Sequence, residues 1–385
     1  MRIAVLNWRD LTHPEGGGAE RYAQNVCAGL SARGHDVTFF CAAHGSAAGT
    51  ETVDGYRVVR NGSRLSVYAR TLAALRRIER AEGVFDVVVD TQNGVPFWAP
   101  TVTQAPVVAL VHHVHREQWP VVFSPAVARF GWLLESRLAP AVYRGRQYVA
   151  VSARTRAELG DLGIDPGSVA VIHNGTDRPR AEATARSAAP TLLVLGRLVP
   201  HKRVELAVDV LARLLPAHPG LTLRIVGDGW WREQIATYAE TAGMAEHVHL
   251  LGFVDEATKH HELASAWVAL APSAKEGWGL NVVDAASHGV PTVAHHGAGG
   301  LSESIVDGVT GLLVDDLDGL TAATSLLLTD ADLRERLGRA AQRRAATYTW
   351  AGTVAEWEAL LAHVAAGGPT VAWSDRDVDA VPLTA

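Results

Sequence analysis

Short apolar runs alternate with helix-length amphipathic segments along nearly the whole chain, and this alternation constrains the fold more than any other feature. In the first half, apolar runs such as Ile3–Leu6 and Val107–Val111 are separated by segments such as Ala19–Ala32. Buried parallel strands are apolar runs of this kind, and the helices that connect them carry one apolar stripe. The alternation therefore predicts α/β structure, with parallel sheets covered by helices on both faces.

The alternation stops at a polar stretch in the middle of the chain and starts again at Thr191–Leu195. A chain of 385 residues is long enough for two domains, so we predict two doubly wound, Rossmann-like domains in tandem. The predicted parts are an N-terminal domain over 1–177, a linker over 178–189, a C-terminal domain over 190–348, a closing helix over 349–365 that returns towards the N-terminal domain, and a flexible tail over 366–385.

Composition excludes several classes of protein. A net charge of −6 argues against a nucleic-acid binder, and a hydrophobic content of 48% argues against disorder. Cys27 and Cys41 have no neighbouring Cys or His at metal-ligand spacing, so we expect core thiols and no disulfide or zinc site. The N-terminus lacks the apolar stretch of a signal peptide, and no run of 18 apolar residues occurs, which predicts a cytoplasmic protein.

Basic residues are concentrated in the first half of the chain. Residues 1–177 carry a net charge of +2 and residues 178–385 a net charge of −8. A cluster of arginines extends from Arg57 to Arg80: Arg57, Arg60, Arg64, Arg70, Arg76, Arg77 and Arg80. This cluster predicts a surface that binds an anionic acceptor or the lipid headgroups at the inner face of a membrane. A solvated helix face is the alternative.

Glycines follow the first predicted strand, where a helix begins. Gly16 and Gly17 lie at the carboxyl end of that strand, where backbone N–H groups and a helix dipole can hold an anion. The pattern is not GxGxxG, so a nicotinamide site is disfavoured. An ordinary strand-to-helix turn is the alternative.

Two cations follow the first strand of the second predicted domain. Arg197 offers a forked pair of donors and Lys202 a point charge, which together suit a diphosphate, although exposed loop cations are the alternative. The next strand ends at Gly227 and Gly229, which leave room for close approach of a nucleotide.

The most specific segment of the sequence runs from Pro272 to Ala285. In it a carboxylate, Glu276, precedes a turn that opens a helix, and a second carboxylate, Asp284, follows eight positions later. The turn comprises Gly277, Trp278, Gly279 and Leu280. Its N–H groups can bind phosphate or sugar oxygens, and Asp284 can accept hydrogen bonds from ribose hydroxyls.

Together, these motifs resemble the family 4 glycosyltransferases over roughly residues 1–365. The resemblance implies a GT-B architecture, in which two Rossmann-like domains face each other across a cleft that holds the active site. It also implies that Arg197 and Lys202 bind the donor diphosphate, that Gly16 approaches it, and that Glu276 contacts the transferred sugar. The family usually has Glu where this chain has Asp284, a side chain shorter by about 1.5 Å.

Histidines follow the strand Val107–Val111. The resemblance places His112 against the donor sugar, as a hydrogen-bond partner and not as a general base. His112, His113 and His115 lack a carboxylate at metal-ligand spacing, so no metal site is predicted. Gln92, Asn93 and His113 are predicted to border the acceptor.

The resemblance implies a retaining glycosyltransferase, which we expect to move a hexose-type sugar from a nucleotide-diphosphate donor to a hydroxyl acceptor, lipid-linked acceptors included. The predicted mechanism requires no cofactor and no metal, since Arg197 and Lys202 supply the positive charge. A sugar-nucleotide epimerase, a sugar phosphorylase and a non-catalytic nucleotide-sugar sensor remain the alternatives.

Overall fold

The computed structural model describes residues 1–177 and 185–373, which form two compact units. The first unit comprises Met1–Gly175 together with residues 350–373, and the second comprises Thr176–Thr349. The chain therefore passes from one unit to the other after Gly175, two residues before the predicted boundary. Residues 178–184 of the predicted linker and 374–385 of the predicted tail lie outside the described residues.

The described ends of the predicted linker and tail are both attached to a unit. Arg186 donates hydrogen bonds to the carbonyl oxygens of Ala266 and Gly289 at 2.7 and 2.6 Å, within the second unit. Val371 donates its N–H to Gln147 at 2.8 Å, and the Trp373 carbonyl accepts from Val171 at 2.7 Å, within the first. Backbone and side-chain hydrogen bonds thus attach Arg186 of the predicted linker to the second unit, and Val371 and Trp373 of the predicted tail to the first.

The first unit is built on an eight-stranded sheet. Its strands are β1 (Arg2–Leu6), β2 (Asp36–Cys41), β3 (Thr50–Val53), β4 (Tyr56–Arg60), β5 (Val87–Gln92), β6 (Val107–Val111), β7 (Gln147–Ala150) and β8 (Val169–Val171). They lie in the order β3-β4-β2-β1-β5-β6-β7-β8. All neighbours pair in parallel except β3 and β4, which form an antiparallel pair at the edge of the sheet.

Seven helices accompany this sheet within the described part of the first unit. They are α1 (Gly18–Ala32), α2 (Val67–Glu82), α3 (Trp119–Val122), α4 (Pro125–Leu133), α5 (Ala139–Val142), α6 (Ala153–Asp161) and, from the end of the chain, α14 (Trp350–Ala365). A π-helical turn, Leu134–Leu138, joins α4 to α5. Helix α14 packs on α1: the Trp357 indole donates to the Tyr22 hydroxyl at 2.6 Å.

The second unit is built on a six-stranded sheet in which every neighbouring pair is parallel. Its strands are β9 (Thr191–Leu195), β10 (Thr222–Val226), β11 (Val248–Gly252), β12 (Val268–Ala271), β13 (Thr292–His295) and β14 (Gly311–Val314), in the order β11-β10-β9-β12-β13-β14. Its helices are α7 (Glu205–Leu214), α8 (Arg232–Thr241), α9 (Glu256–Ser265), α10 (Leu280–Ser287), α11 (Leu301–Ser304), α12 (Leu317–Thr329) and α13 (Ala331–Ala345).

The structure confirms the predicted α/β class with two Rossmann-like sheets. In each sheet the first strand lies inside, and the chain winds outward to one side and then to the other. The order reverses between β1 and β5 in the first unit and between β9 and β12 in the second. Ligands bind α/β sheets at the carboxyl ends of the strands on either side of such a reversal. Across residues 1–177 and 185–373, no helix is both long and apolar enough to span a bilayer.

A buried carboxylate fixes the loop that follows β5. Asp90 is fully buried, and its two oxygens accept the N–H groups of Phe97 and Ala99 at 2.8 and 2.9 Å as well as the Tyr143 hydroxyl. These bonds span Trp98, whose φ of 66° is unusual for a residue with a side chain. Burial raises the pKa of Asp90 to about 6, although the three donors oppose the shift.

We expect Asp90 to make the stability of the first unit depend on pH. Because its pKa is higher in the folded state than in the unfolded state, the folded protein binds the proton more tightly. The stabilisation that comes from protonated Asp90 is therefore complete below about pH 4. The free energy of unfolding falls by about 3 kcal/mol as the pH rises past 6. Urea unfolding of the wild type and of Asp90→Asn between pH 4 and 7 measures this difference.

The matched control is Asp161→Asn, since Asp161 is an exposed acid of the same unit. The free energy of unfolding of the wild type, relative to that of Asp90→Asn, should fall with rising pH, and the Asp161→Asn difference should stay flat. A constant difference for both variants would contradict the role assigned to Asp90.

Candidate active site

The reversal of strand order in the second unit brings two predicted motifs together. The segment after β9 carries Arg197 and ends in a short helical turn, Pro200–Lys202. The segment after the neighbouring strand β12 carries Ser273 and Glu276. Both segments leave the same edge of the sheet because β9 and β12 are parallel neighbours. One concave surface is lined by Gly196, Arg197, Lys202, Ser273 and Asn281.

Two of the residues that line this surface, Lys202 and Ser273, bind the Glu276 carboxylate. The Lys202 ammonium donates to Oε1 of Glu276, and the Ser273 hydroxyl donates to the same oxygen at 2.7 Å. Burial raises the pKa of Glu276, but Lys202 and Ser273 outweigh that effect, and the pKa lies below its usual value. The site therefore presents an ionised carboxylate beside an ammonium group, and Arg197 is among the residues that line the pocket with Lys202.

Glycines allow three backbone segments to meet beside these charges. A Cβ on Gly227 would lie 2.0 Å from the Gly196 carbonyl oxygen, and a Cβ on Gly229 would lie 2.2 Å from that of Leu198. Gly227 also has a φ of 130°, which side chains rarely tolerate. The sequence predicted that these two glycines leave room for a nucleotide. The structure shows a second reason for glycine at both positions, because neighbouring backbone atoms occupy the space that a side chain would need.

The turn after Glu276 adopts the conformation that its glycines permit. Gly279 has a φ of 91° and starts α10 directly, so Leu280 is the first residue of that helix. The carbonyl of Gly277 lies 2.2 Å from where a Cβ of Gly300 would stand, so the turn packs closely on Gly300. Trp278 does not present its ring to a ligand: it is 2% exposed and packs edge-on against Tyr348. The burial of this ring concerns the side chain alone, and donor binding by the backbone N–H groups of the turn stays a prediction.

Asp284 is buried in α10, with an exposed fraction of 7%. Its Oδ1 accepts the Thr176 hydroxyl at 2.9 Å, and the Lys259 ammonium lies 4.0 Å from Oδ2. Asp284, the predicted hydrogen-bond acceptor for the ribose, thus already binds Thr176, the first residue of the second unit. A carboxylate has about four acceptor positions, so a ribose hydroxyl can share it only where the Thr176 and Lys259 contacts leave one open.

In the first unit, the loop after β1 is held by charges and by its own backbone. Arg9 donates to Glu15 at 2.7 Å, and the N–H of Gly17 donates to Glu20 at 2.8 Å. The N–H of Gly16 donates to the carbonyl of His13 at 2.8 Å. The N–H groups of both glycines are thus engaged inside the loop. The contact of Gly16 and Gly17 with a donor phosphate stays a prediction, and it requires the two N–H groups to share or exchange these partners.

His112 follows β6 and is buried, and the Thr155 hydroxyl donates to its carbonyl at 3.2 Å. Within the described residues, its Nε2 has no hydrogen-bond partner. Burial and the nearby His115 lower the pKa of His112 to about 4. The imidazole is therefore neutral at physiological pH, which suits a hydrogen-bonding role and makes His112 a weak base.

The predicted acceptor residues differ in exposure. Gln92 is the last residue of β5 and is buried. Asn93 and His113 are partly exposed, and the His113 ring lies 4.1 Å from that of His115. The structure also supplies the carboxylate that spacing did not reveal, because Glu135 lies 3.1 Å from His115 Nδ1. Even so, in residues 1–177 and 185–373 no three His, Cys, Asp or Glu side chains gather at metal-binding distance.

Sequence reasoning missed two residues of the second-unit pocket. Ser273 bonds to Glu276, and its position three residues before a carboxylate at a strand end was the available signal. Asn281 donates to the Leu195 carbonyl at 3.1 Å and ties the start of α10 to the end of β9. Its sequence neighbours carry no comparable signal, since the bond depends on a strand 86 positions away.

Two family models match the chain, and together they extend over most of it. The model described as Glycosyltransferase Family 4 matches residues 16–180, and the one described as Glycosyl transferases group 1 matches residues 176–344. The junction of the two matches coincides with the passage of the chain between the units after Gly175.

Curated relatives and solved structures cover nearly the full chain. A glycogen synthase of Mycobacterium tuberculosis is 28% identical over 89% of this chain and 90% of its own length. A GDP-mannose-dependent alpha-(1-6)-phosphatidylinositol monomannoside mannosyltransferase of the same species is 29% identical over 81% of this chain and 83% of its own. The structure of sucrose-phosphate synthase from Thermosynechococcus elongatus superimposes with a TM-score of 0.82 at 20% identity, covering 95% of this chain and all of that one. The shared fold is GT-B.

Proposed function

From the premise that this chain belongs to the family 4 glycosyltransferases, which use sugar-nucleotide donors, we propose that it transfers a hexose-type sugar to a hydroxyl acceptor with retention of anomeric configuration. The observation that carries the proposal is the pairing of Lys202 with Glu276 beside Arg197, at the reversal of strand order in the second unit. A nucleotide diphosphate needs cations for its phosphates, and a sugar needs acceptors for its hydroxyls.

The proposed reaction uses the donor's own leaving group. The acceptor oxygen attacks the anomeric carbon on the face from which the diphosphate departs, and the bond from that carbon to the phosphate oxygen breaks. The acceptor proton passes to the departing diphosphate, so no protein nucleophile is needed. Lys202 and Arg197 stabilise the negative charge that develops on the diphosphate, which is the largest catalytic contribution in this scheme.

The proposed roles of the remaining site residues follow from their contacts. The Glu276 carboxylate accepts hydroxyl hydrogen bonds from the transferred sugar, with Lys202 and Ser273 fixing its position. The neutral imidazole of His112 offers a hydrogen bond to the sugar or to the leaving phosphate. Asp284 shares its carboxylate between Thr176 and a ribose hydroxyl, directly or through a water molecule.

We propose that the acceptors include lipid-linked ones, as the name of the mannosyltransferase relative specifies for that protein. The arginine cluster from Arg57 to Arg80 is one candidate membrane contact, but fewer of its arginines are exposed than the sequence suggests. Arg60 is buried against Asp10, and Arg57 pairs with Glu82 at 3.0 Å. The exposed members are Arg64, Arg70, Arg76, Arg77 and Arg80.

Release of nucleoside diphosphate tests the proposed activity and separates it from the alternatives. A transferase releases nucleoside diphosphate from a sugar nucleotide only when an acceptor is present. A sensor binds the donor but forms no nucleoside diphosphate. An epimerase changes the sugar while it stays attached to the nucleotide, and a phosphorylase releases sugar phosphate. A thermal-shift screen of nucleotide sugars first identifies the donor to use.

We expect turnover to be unchanged in EDTA, because Lys202 and Arg197 provide the positive charge that a divalent metal would otherwise supply to the diphosphate. Nucleoside diphosphate release is measured before and after dialysis against EDTA and after addition of Mg²⁺. Loss of activity in EDTA with recovery in Mg²⁺ would contradict metal-independent catalysis and leave the transferase assignment intact.

A further inference from the structure

One segment of the first unit exposes an unusual amount of apolar surface. It consists of α3, α4 and the π-helical turn, from Trp119 to Leu138. Phe130 is 61% exposed. The other exposed apolar side chains include Val121, Phe123, Val127, Leu133 and Leu138. Scattered exposed apolar residues are ordinary, but a concentration of them within twenty positions of one helical segment is typical of an interaction surface.

The segment buries its polar contacts and exposes its apolar side chains. Glu135 is 0% exposed, and its carboxylate accepts the Trp119 indole N–H at 2.6 Å and the His115 backbone N–H at 3.0 Å. A helix that faces water ordinarily places a carboxylate outside and its aromatic residues inside. Here Phe130 and Leu133 are outside, one helical turn apart.

The apolar side chains stand on a tightly packed support. The Trp119 ring lies so close to Gly131 that a Cβ there would be 2.3 Å from it. Ser136 donates its hydroxyl to the Trp132 carbonyl at 2.5 Å. The exposed faces of α3 and α4 are therefore held in place by contacts on their inner sides.

The exposed charged residues within and next to this segment in the sequence are mostly basic. Between residues 116 and 146 the exposed charged side chains are five arginines and a single acid: Arg116, Arg129, Arg137, Arg144, Arg146 and Glu117. Glu135, the other acid of this stretch, is buried. Apolar side chains flanked by arginine match the interface of a bilayer whose headgroups are anionic.

We propose that the surface formed by residues 119–138 binds the interfacial layer of an anionic lipid membrane. Phe123, Val127, Phe130 and Leu133 enter the boundary between headgroups and acyl chains, and the arginines contact lipid phosphates. The proposal extends the lipid-linked acceptor of the proposed function but names a surface other than the arginine cluster from Arg57 to Arg80. Binding of the protein to lipid is measured directly, so the test needs no nucleotide sugar.

The test is co-sedimentation of the full chain with vesicles of phosphatidylcholine that contain about one third phosphatidylglycerol, at low salt. We expect the wild type to bind, and we expect Phe130→Ser with Leu133→Ser to weaken binding about tenfold or more, because two apolar side chains no longer enter the lipid. Both side chains are exposed, so the double variant should unfold at the wild-type temperature.

The matched control is Val84→Ser with Leu326→Ser, which removes two exposed aliphatic side chains elsewhere and should bind as the wild type does. A second comparison is Arg70→Gln with Arg77→Gln in the other cluster.

The proposal is overturned if the wild type does not bind, if the Phe130/Leu133 variant binds equally well, or if only the arginine variant loses binding. It is also overturned if that surface instead joins two copies, seen as a dimer in vesicle-free buffer that Phe130→Ser with Leu133→Ser dissociates. Nucleoside diphosphate release with a soluble acceptor is measured separately, so failure of vesicle binding leaves the transferase assignment untouched.

Discussion

Replacing Lys202 with alanine is expected to lower turnover by about 10²–10³-fold while the chain stays folded, because in the proposed mechanism Lys202 stabilises the charge on the leaving diphosphate. Lys202 lies in the turn Pro200–Lys202, pairs with Glu276 and lines the pocket together with Arg197. Steady-state release of nucleoside diphosphate gives the turnover, and thermal unfolding shows whether the fold survives.

Two further variants separate catalysis from simple loss of a charge. Lys202→Arg keeps the cation and should retain more turnover than Lys202→Ala. Arg213→Ala removes a cation from the exposed face of α7, where Arg213 pairs with Asp318 at 2.6 Å, and should turn over at the wild-type rate. A folded Lys202→Ala protein with near-wild-type turnover would contradict the assigned site.

Replacing Gly227 with alanine is expected to destabilise the second unit by about 3 kcal/mol or more. The new Cβ would lie 2.0 Å from the Gly196 carbonyl oxygen, and the φ of 130° disfavours any side chain. Relief of the contact must move Gly196 and with it Arg197, so donor affinity should fall as well. Denaturant unfolding and a donor-binding titration measure the two effects.

Gly220→Ala is the matched control, because nothing lies within 4 Å of a Cβ at that position in the turn before β10. We expect this variant to change the free energy of unfolding by less than about 1 kcal/mol. If Gly227→Ala and Gly220→Ala unfolded at the same denaturant concentration, the close backbone approach would not be a constraint on the fold.

Strand and helix positions were largely predictable from the alternation of apolar runs. Val107–Val111 and Thr191–Leu195 were predicted with the bounds that the structure has, since each is an apolar or nearly apolar run that follows a proline and ends before a histidine or a glycine. The predicted parallel sheets did not include β3, which pairs antiparallel with β4. Short edge strands with exposed residues carry little apolar signal, and β3 is exposed along most of its length.

Residue types at strand ends predicted where the second-unit site lies, but not how its side chains are used. Lys202 and Glu276 were each selected from local patterns, and the structure adds that they pair with each other across 74 positions. Trp278 was selected by the same local pattern and is instead buried against Tyr348. Local patterns indicate which residues stand in a turn, whereas burial depends on what the rest of the chain brings against them.

By itself, the sequence determined the α/β class, the two-domain organisation and the family, because hydrophobic periodicity and short glycine, cation and carboxylate motifs are local properties of a chain. Only the tertiary structure decided which charges are available. It buried Arg60 against Asp10, turned Glu135 inward to Trp119, and left Phe130 outside. The burial of Arg60 and Glu135 depends on partners that the fold brings close, because burying an unpaired charge is costly, whereas Phe130 stays exposed because no other described part of its unit covers it.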